Sequence, residues 1–368
     1  MTQARLEKFT ASLLTSDLDA VILNPGPTLK YLTGLDFHLM ERPVVLFVAP
    51  GKDPLLVLPE LELPKVDLFP YKVQGVAYGE NPLEWDDAFR KAAQALGLDG
   101  KRIGVEPRSL RLLEFRHVKA GAPEADFPDA CDVLADLRLR KDSAEVDAMR
   151  KAVKIAQNAL EATLPQIKIE MTEKTIAAEL VTQLLKHGSE FEIPFAPIVS
   201  SGPNSANPHA SPSDRKLQAG DLLVVDWGAA YEGYISDLTR TFAVGEVDAE
   251  LQKIHKIVQD ANAAGRAAAK PGVSCADVDK ATRDVIENAG YGKYFTHRTG
   301  HGIGMEGHEA PYIRGDNMQL LEPGMAFTVE PGIYLTGRNG VRIEDNMMVT
   351  EDGAECLSDM PREIRVVG

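Results

Sequence analysis

Cysteine is scarce in this 368-residue chain: Cys131, Cys275 and Cys356 lie far apart, and none belongs to a CxxC pair. That pattern argues against a disulfide framework and fits free thiols in a reducing compartment, so a cytoplasmic location is expected. Long hydrophobic runs are missing too. No stretch approaches eighteen consecutive apolar residues, and the opening MTQARLEKFTASLL lacks the positive segment, apolar run and cleavage site of a secretory signal. No membrane span is therefore expected. Positive charge is in deficit, with 40 Lys and Arg against 55 Asp and Glu, a net −15 without a basic stripe. Unassisted nucleic-acid binding is not expected of such a surface. Histidine is sparse as well, yet three of the eight crowd into HRTGHGIGMEGHEAP, residues 297–311.

What is present is ordinary globular material: 44% hydrophobic and 26% charged residues, in a chain long enough for two or three domains. LDAVILNP, VVLFVAP, PLLVLP and RIGVEP have the Val, Leu and Ile content and the Pro, Gly or Asp boundaries of strands. RLEKFTASLLTSD and LEWDDAFRKAAQALGL have helical apolar spacing. Their interleaving predicts an α/β domain over residues 1–132. DVLADLRLRKDSAEVDAMRKAVKIAQNALEATL then offers about thirty helix-compatible residues without Gly or Pro, an exposed helical connector at its start. The second domain is placed at 133–368, beginning with helices and continuing in glycine-punctuated strands.

That second domain contains an internal repeat. LQAGDLLVVDWG (217–228) and LEPGMAFTVEPG (321–332) align without a gap, placing Asp226 on Glu330. TEKTIAAELVTQLLKHG and SCADVDKATRDVIENAG match as helices, and PHASP and GHEAP match as loops, pairing His209 with His308. A duplicated α+β unit predicts a pseudo-twofold domain with a central cleft lined by matching acids.

Asp226 ends DLLVVD and Asp237 opens SDLTRTFAV. A hairpin turn centred on Tyr231 and Glu232 sets the two aspartates directly opposite, with Cβ atoms about 4.5–5.5 Å apart. Carboxylates that close repel unless one is protonated or a cation neutralises both. Alone, the pair is equally well read as two acids at exposed strand ends. The second half repeats the pattern of acid, hairpin, acid with Glu330 in TVEPG and Glu344 in GVRIEDN. Four carboxylates and one imidazole, His301 in GHGIG, suit two divalent ions about 3.5–4 Å apart. Oxygen-rich ligation favours Mn²⁺, Co²⁺ or Zn²⁺, and the acids are too dispersed for a calcium loop.

His301 is the expected ligand, its glycine neighbours allowing close backbone approach. His209 and His308 are expected to hydrogen-bond the substrate and a developing oxyanion. His297 is either substrate-facing or a support of the ligands. Arg342, two residues before Glu344 and on the same strand face, either orients a carboxylate or binds substrate, against the alternative of a surface ion pair. His117, His187 and His255 are read as ordinary surface or packing residues.

Taken together, VVDWGAAYEGYISDLTRTF, HRTGHGIGMEGHEAP, TVEPGIY and GVRIEDN resemble the pita-bread metallopeptidases: Xaa-Pro dipeptidases (prolidases), aminopeptidases P and methionine aminopeptidases. YLTGL and RLRKDSAEVDAMRKA resemble the N-terminal domain and linker of the proline-specific branch. The resemblance implies a dinuclear centre on Asp226, Asp237, His301, Glu330 and Glu344. It implies a hydroxide bridging the two metals that attacks the bond preceding proline, with Glu330 shuttling its proton. His209, His297, His308 and Arg342 match positions the proline-specific members use. DFHLMER (36–42) resembles a prolidase loop that reaches the partner's active site across a homodimer, with Asp36, His38 and Arg42 its polar residues, and Arg298 resembles an arginine that closes with it over substrate. DFHLMER is equally an ordinary polar loop. These features favour a dipeptidase acting on small proline-containing peptides, with aminopeptidase P as the alternative. Methionine aminopeptidases usually lack the first domain, and creatinase-like or chaperone-like relatives lose ligands that are all present here. A non-catalytic peptide-binding relative, the remote alternative, predicts no bound metal.

Overall fold

The computed structural model describes residues 2–368 and divides into two compact units, Met1–Arg138 and Leu139–Gly368. In the first unit a mixed five-stranded sheet runs in the order β4-β3-β2-β1-β5. Its strands are β1 (Ala20–Leu23), β2 (Val45–Val48), β3 (Leu55–Pro59), β4 (Gln74–Tyr78) and β5 (Ile103–Gly104). The helices are α1 (Thr2–Thr15), α2 (Pro27–Thr33), α3 (Trp85–Leu96) and α4 (Leu112–Gly121), followed by α5 (Cys131–Leu139). The apolar face of α3, with Ala88, Phe89, Ala92 and Leu96, packs into one core with Ile22, Phe47 and Val57 of the sheet. Gly97 ends that helix in the left-handed region at φ 63°. β4 escaped the sequence reading because it is mostly exposed and carries no apolar alternation.

The long connector is two helices rather than one. α5 stops at Leu139, and α6 (Ser143–Thr163) begins with a capping box in which the Asp142 side chain accepts from Glu145 N and Glu145 accepts from Asp142 N. Two backbone donors satisfied reciprocally start a helix without help from Gly or Pro, so composition alone hid the break. The expected boundary, 132/133, falls within α5, before the division at Arg138 and Leu139.

The second unit carries α7 (Glu173–Lys186), α8 (Ala249–Ala268) and α9 (Cys275–Asn288). Its first half holds β6 (Ile198–Ser201), β7 (Leu222–Trp227), β8 (Ala230–Tyr231), β9 (Tyr234–Ile235) and β10 (Leu238–Val244). Its second half holds β11 (Gly300–Gly302), β12 (Glu309–Ile313), β13 (Ala326–Val329), β14 (Gly332–Leu335), β15 (Asn339–Arg342), β16 (Asp345–Val349), β17 (Ala354–Cys356) and β18 (Val366–Val367). Two larger sheets result, β18-β10-β7-β6 and β12-β11-β13-β16-β17, beside the two-stranded pairs β14-β15 and β8-β9. The repeat is visible in the backbone. β7 and β13 begin 104 residues apart, and the bridges Thr172↔Lys216 and Ser274↔Leu320 place the same link before each central strand. Thr172 and Ser274 cap α7 and α9 alike. Trp227 is buried in the first-half core and donates from Nε1 to Ala156 O at 2.8 Å. No described helix is long and apolar enough to cross a membrane. The three cysteines are free.

Candidate metal centre

The strands that end at the cleft set its chemistry. β7 pairs with β10 so that Asp226 faces Thr239, not Asp237. The expected direct opposition of the two aspartates is corrected by the turn: Tyr231 pairs with Tyr234, and Glu232 and Gly233 form the two-residue loop with φ of 50° and 77°. Positive φ at both loop positions is the type I′ geometry that matches strand twist, and Gly233 supplies the second of them without strain. The register therefore moves by two. A two-residue shift keeps Asp237 on the face of Asp226 but makes the pair diagonal, with Cα atoms about 7–8 Å apart.

In the second half, Val329 pairs with Asp345 and Gly332 with Arg342, so one continuous register sets Glu330 opposite Glu344. The halves meet where Thr239 bridges Glu344: Glu344 N donates to Thr239 O at 3.0 Å, and Thr239 Oγ1 donates to Glu344 Oε2 at 2.7 Å. His301 enters from β11. A Cβ on Gly300 would lie 1.8 Å from Thr328 O, so glycine is required for β11 to sit against β13. The imidazole donates from Nδ1 to Gly302 O at 3.1 Å, which leaves the Nε2 lone pair facing Glu330 Oε1 at 3.5 Å and Asp237 Oδ2 at 3.8 Å.

Ligand atoms of Asp237, His301 and Glu344 all lie within 4.8 Å of one another, and all three residues are buried. Asp226 accepts from Arg342 Nη2 at 2.5 Å on one oxygen, while its Oδ1 is buried without a partner. A buried carboxylate oxygen without a donor is costly unless a cation completes it. Burial pushes Asp237 and Glu344 well above the ordinary carboxylate range, and the neighbouring acids push them further. Burial also raises Glu330 to about 8, with Arg342 and Arg298 pulling against it and Asp226 adding to it. His301 is pushed down to about 3, by burial and then by His308, so its ring is neutral at physiological pH. Four carboxylates and a neutral imidazole around an orphaned oxygen fit divalent cations, which would neutralise the excess negative charge.

The other expected site residues surround this cluster. His308 is exposed, its ring centroid 3.9 Å from that of His301, and its Nδ1 accepts from Arg298 Nη2 at 3.1 Å. Arg298 lies over the Tyr312 ring at 4.7 Å. His209 is exposed on the segment after β6, where the preceding Pro208 O accepts from Arg342 Nη1 at 3.4 Å. Arg342 is 3% exposed, and its remaining bonds go to Tyr334 and Thr239. Of its two expected roles, orienting a carboxylate has the atoms assigned to it. His297 donates from Nδ1 to Arg298 O at 2.7 Å and accepts at Nε2 from the Tyr334 hydroxyl at 2.9 Å. Burial holds its pKa down to about 4. His38 lies in the first unit on an exposed loop, beside Asp36, which pairs with Lys30, and Arg42, which pairs with Glu80.

Sequence reasoning missed Tyr334, Thr239 and Asp345. Period two from Asp237 reaches Thr239, and Tyr334 stands in the quoted TVEPGIY, but neither residue type announces ligand chemistry. Asp345 is fully buried and bonded to Arg240, Arg362 and Ser358. Burial opposes its charge, yet Arg240 and Arg362 hold the carboxyl below its usual range. Asp345→Ala takes the carboxylate from three guanidinium groups, Arg240, Arg362 and Arg266, and is expected to destabilise the protein by about 3–5 kcal/mol in denaturant unfolding. A loss under about 1 kcal/mol would show that the network contributes little.

The profile of metallopeptidase family M24 matches residues 147–351, and that of the creatinase/prolidase N-terminal domain matches residues 5–140. The chain is 34% identical to a Xaa-Pro dipeptidase of Lactobacillus delbrueckii subsp. lactis, over 98% of each protein. A dipeptidase structure from Pyrococcus horikoshii OT3 superposes with a TM-score of 0.92 at 38% identity, covering 99% of this chain and 100% of that one. A recombinant prolidase from Thermococcus sibiricus gives 0.94 at 32% identity, covering 100% and 99%. With its creatinase-type first domain, its pita-bread second domain and a carboxylate–histidine cluster between the repeated halves, the chain belongs to metallopeptidase family M24.

Proposed function

We propose that this metallopeptidase hydrolyses the peptide bond preceding proline, with Xaa-Pro dipeptides as its principal substrates. The carrying observation is the convergence of Asp237, His301 and Glu344 within 4.8 Å, beside Glu330 and the orphaned oxygen of Asp226. Those five residues would hold two divalent cations, Mn²⁺, Co²⁺ or Zn²⁺, which when bound polarise a carbonyl and make a water acidic enough to attack it. Glu330 takes the proton of the attacking water and delivers it to the departing prolyl nitrogen. His308 and His209, exposed on segments from opposite halves, donate hydrogen bonds to the scissile carbonyl and the substrate backbone. His297 and Tyr334 fix Arg342, which fixes Asp226. Arg298 offers a cation to the substrate carboxylate that follows proline in a dipeptide. The Xaa-Pro dipeptidase likeness along nearly the whole chain supports this reading. We assign the chemistry to the domain expected at 133–368, and we place the protein in a reducing, cytoplasmic setting because its cysteines are free.

The test is a paired assay on metal-loaded protein, with chelated protein as control. A Xaa-Pro dipeptide is expected to be cleaved in preference to a Xaa-Pro-Xaa tripeptide. Preference for the tripeptide would make the chain an aminopeptidase P and leave Arg298 without a carboxylate to bind. The exposed loop around His38, with Leu39 and Met40 at 48% and 46% exposure, suits a homodimer contact. Sedimentation is expected to give a dimer. His38→Ala is expected to lower activity about tenfold at unchanged metal content, and a fully active monomer removes this role.

A further inference from the structure

The segment carrying His209 leaves β6 at Ser201 and returns at Ser213, and a single buried carboxylate holds both ends. Glu173, the first residue of α7, is 0% exposed. Its Oε1 accepts from Ser201 N at 2.7 Å and Ser201 Oγ at 2.8 Å. Its Oε2 accepts from Ser213 N at 3.0 Å and Ser213 Oγ at 2.6 Å. The Asn204 amide spans both oxygens at 3.2 and 3.1 Å. Among the described residues Glu173 makes no ion pair of its own; the cation nearest in its network, Arg215, donates to Ser201 Oγ at 2.6 Å and pairs with Asp221. The apex of the segment is tied separately, through Pro208 O to Arg342.

We propose that Glu173 is a positioning residue for catalysis, setting the 201–213 segment so that His209 meets the substrate; this rests on the role given to His209 above. The physical reason is that one buried carboxylate takes its donors from both ends of the segment. Losing any of these donors leaves a buried acceptor unmet, which is costly. The segment therefore cannot drift without stranding the charge, and the clamp is stiffer than a neutral amide would give. Glutamine at this place would turn a donor toward the Ser213 or Ser201 donors and release one end. In the other half, on α9, Arg283 donates to the carbonyls of Phe295 and His297 and Asp279 accepts from Thr299 N, which ties the chain ahead of β11.

The experiment is a double-mutant cycle of Glu173→Gln and His209→Ala in the full metal-loaded chain. It reads kcat and KM on a Xaa-Pro dipeptide, metal content, and hydrogen exchange of residues 202–213. Each single variant is expected to lose about ten- to a hundredfold in kcat/KM, since small misplacement of a catalytic group has effects of that size. The double variant is expected to stay within about threefold of the worse single, because both changes remove one contribution. Metal content is expected to hold, while exchange rises in 202–213 and not in β7 or β13. Losses that multiply, metal loss in Glu173→Gln, or unchanged exchange would each overturn the proposal. Should Glu173→Gln fail to fold, Ser213→Ala removes one hydroxyl donor and is expected to give a smaller shift in the same direction; no shift overturns the proposal. A wild-type chain that cleaves no Xaa-Pro peptide fails the functional reading instead. The exchange comparison then decides the clamp by itself: a loosened segment upholds it and an unchanged one removes it.

Discussion

Glu330→Gln is expected to lower kcat on a Xaa-Pro dipeptide by on the order of 10²–10⁴-fold while the chain stays folded. Glutamine keeps the shape of the side chain and one oxygen, but it cannot take up and return a proton. The fold has little reason to object. The backbone at Glu330 is tied by its own N–H to Thr299 O at 2.8 Å, a bond the substitution leaves alone. Glu330 also sits in a cluster of acids that repel one another, and burial has already raised it to about 8. Glutamine removes that titration, so the metal-free melting temperature is expected to hold near neutral pH and to rise above pH 8, where the glutamate would otherwise ionise. The decisive comparison is turnover against metal content. A slow variant that keeps its cations assigns Glu330 to proton transfer, whereas a slow variant that loses them assigns it to ligation alone. A variant with wild-type turnover would place the chemistry elsewhere.

The four acids and one histidine that converge at the cleft were legible because the repeat supplied the acids in pairs. Asp226 and Glu330 align at a fixed offset, and each ends an apolar strand. Their geometry was less legible. Opposition of Asp226 and Asp237 depended on where a two-residue turn falls, and Glu232 with Gly233 moved it by one position along the chain. The error was confined because strand side chains alternate with period two, so the shift returned Asp237 to the same face. The apparent symmetry of the second acids also dissolves in the register: Asp226 faces Thr239, whereas Glu330 faces Glu344. A threonine at the pseudo-equivalent position then hydrogen-bonds the glutamate, which is how two unlike halves close on one centre. The residues that orient ligands were the hardest to find. Tyr334 and Glu173 are recognised by what they touch, and their contacts join segments distant in sequence. Helix breaks behaved alike: Asp142 and Glu145 stop and restart the connector by side-chain hydrogen bonds that composition does not show.

Chelation is expected to abolish activity, with Mn²⁺, Co²⁺ or Zn²⁺ restoring it, and to leave a protein whose stability falls as pH rises. The sign follows from the site. Asp237, Glu330 and Glu344 all have folded-state pKa values raised by burial and by neighbouring acids, Asp226 among them. Without cations, the folded protein therefore binds more protons than the unfolded chain over the range between the two sets of values. For Glu330 that range runs from its ordinary 4.5 to about 8. Its contribution is fully present below 4.5 and disappears as pH climbs through 8, on the order of a few kcal/mol for this group. Bound cations reverse the preference, because they favour the ionised carboxylates and bind the folded state. Thermal melts of chelated protein from pH 5 to 8.5 are expected to drop by roughly 5–10 °C, and melts with saturating Mn²⁺ to lose that slope. Full activity after exhaustive metal removal would refute the catalytic half of this expectation. A flat metal-free profile would refute the electrostatic half, since Asp237, Glu330 and Glu344 would then ionise as readily in the fold as in the unfolded chain.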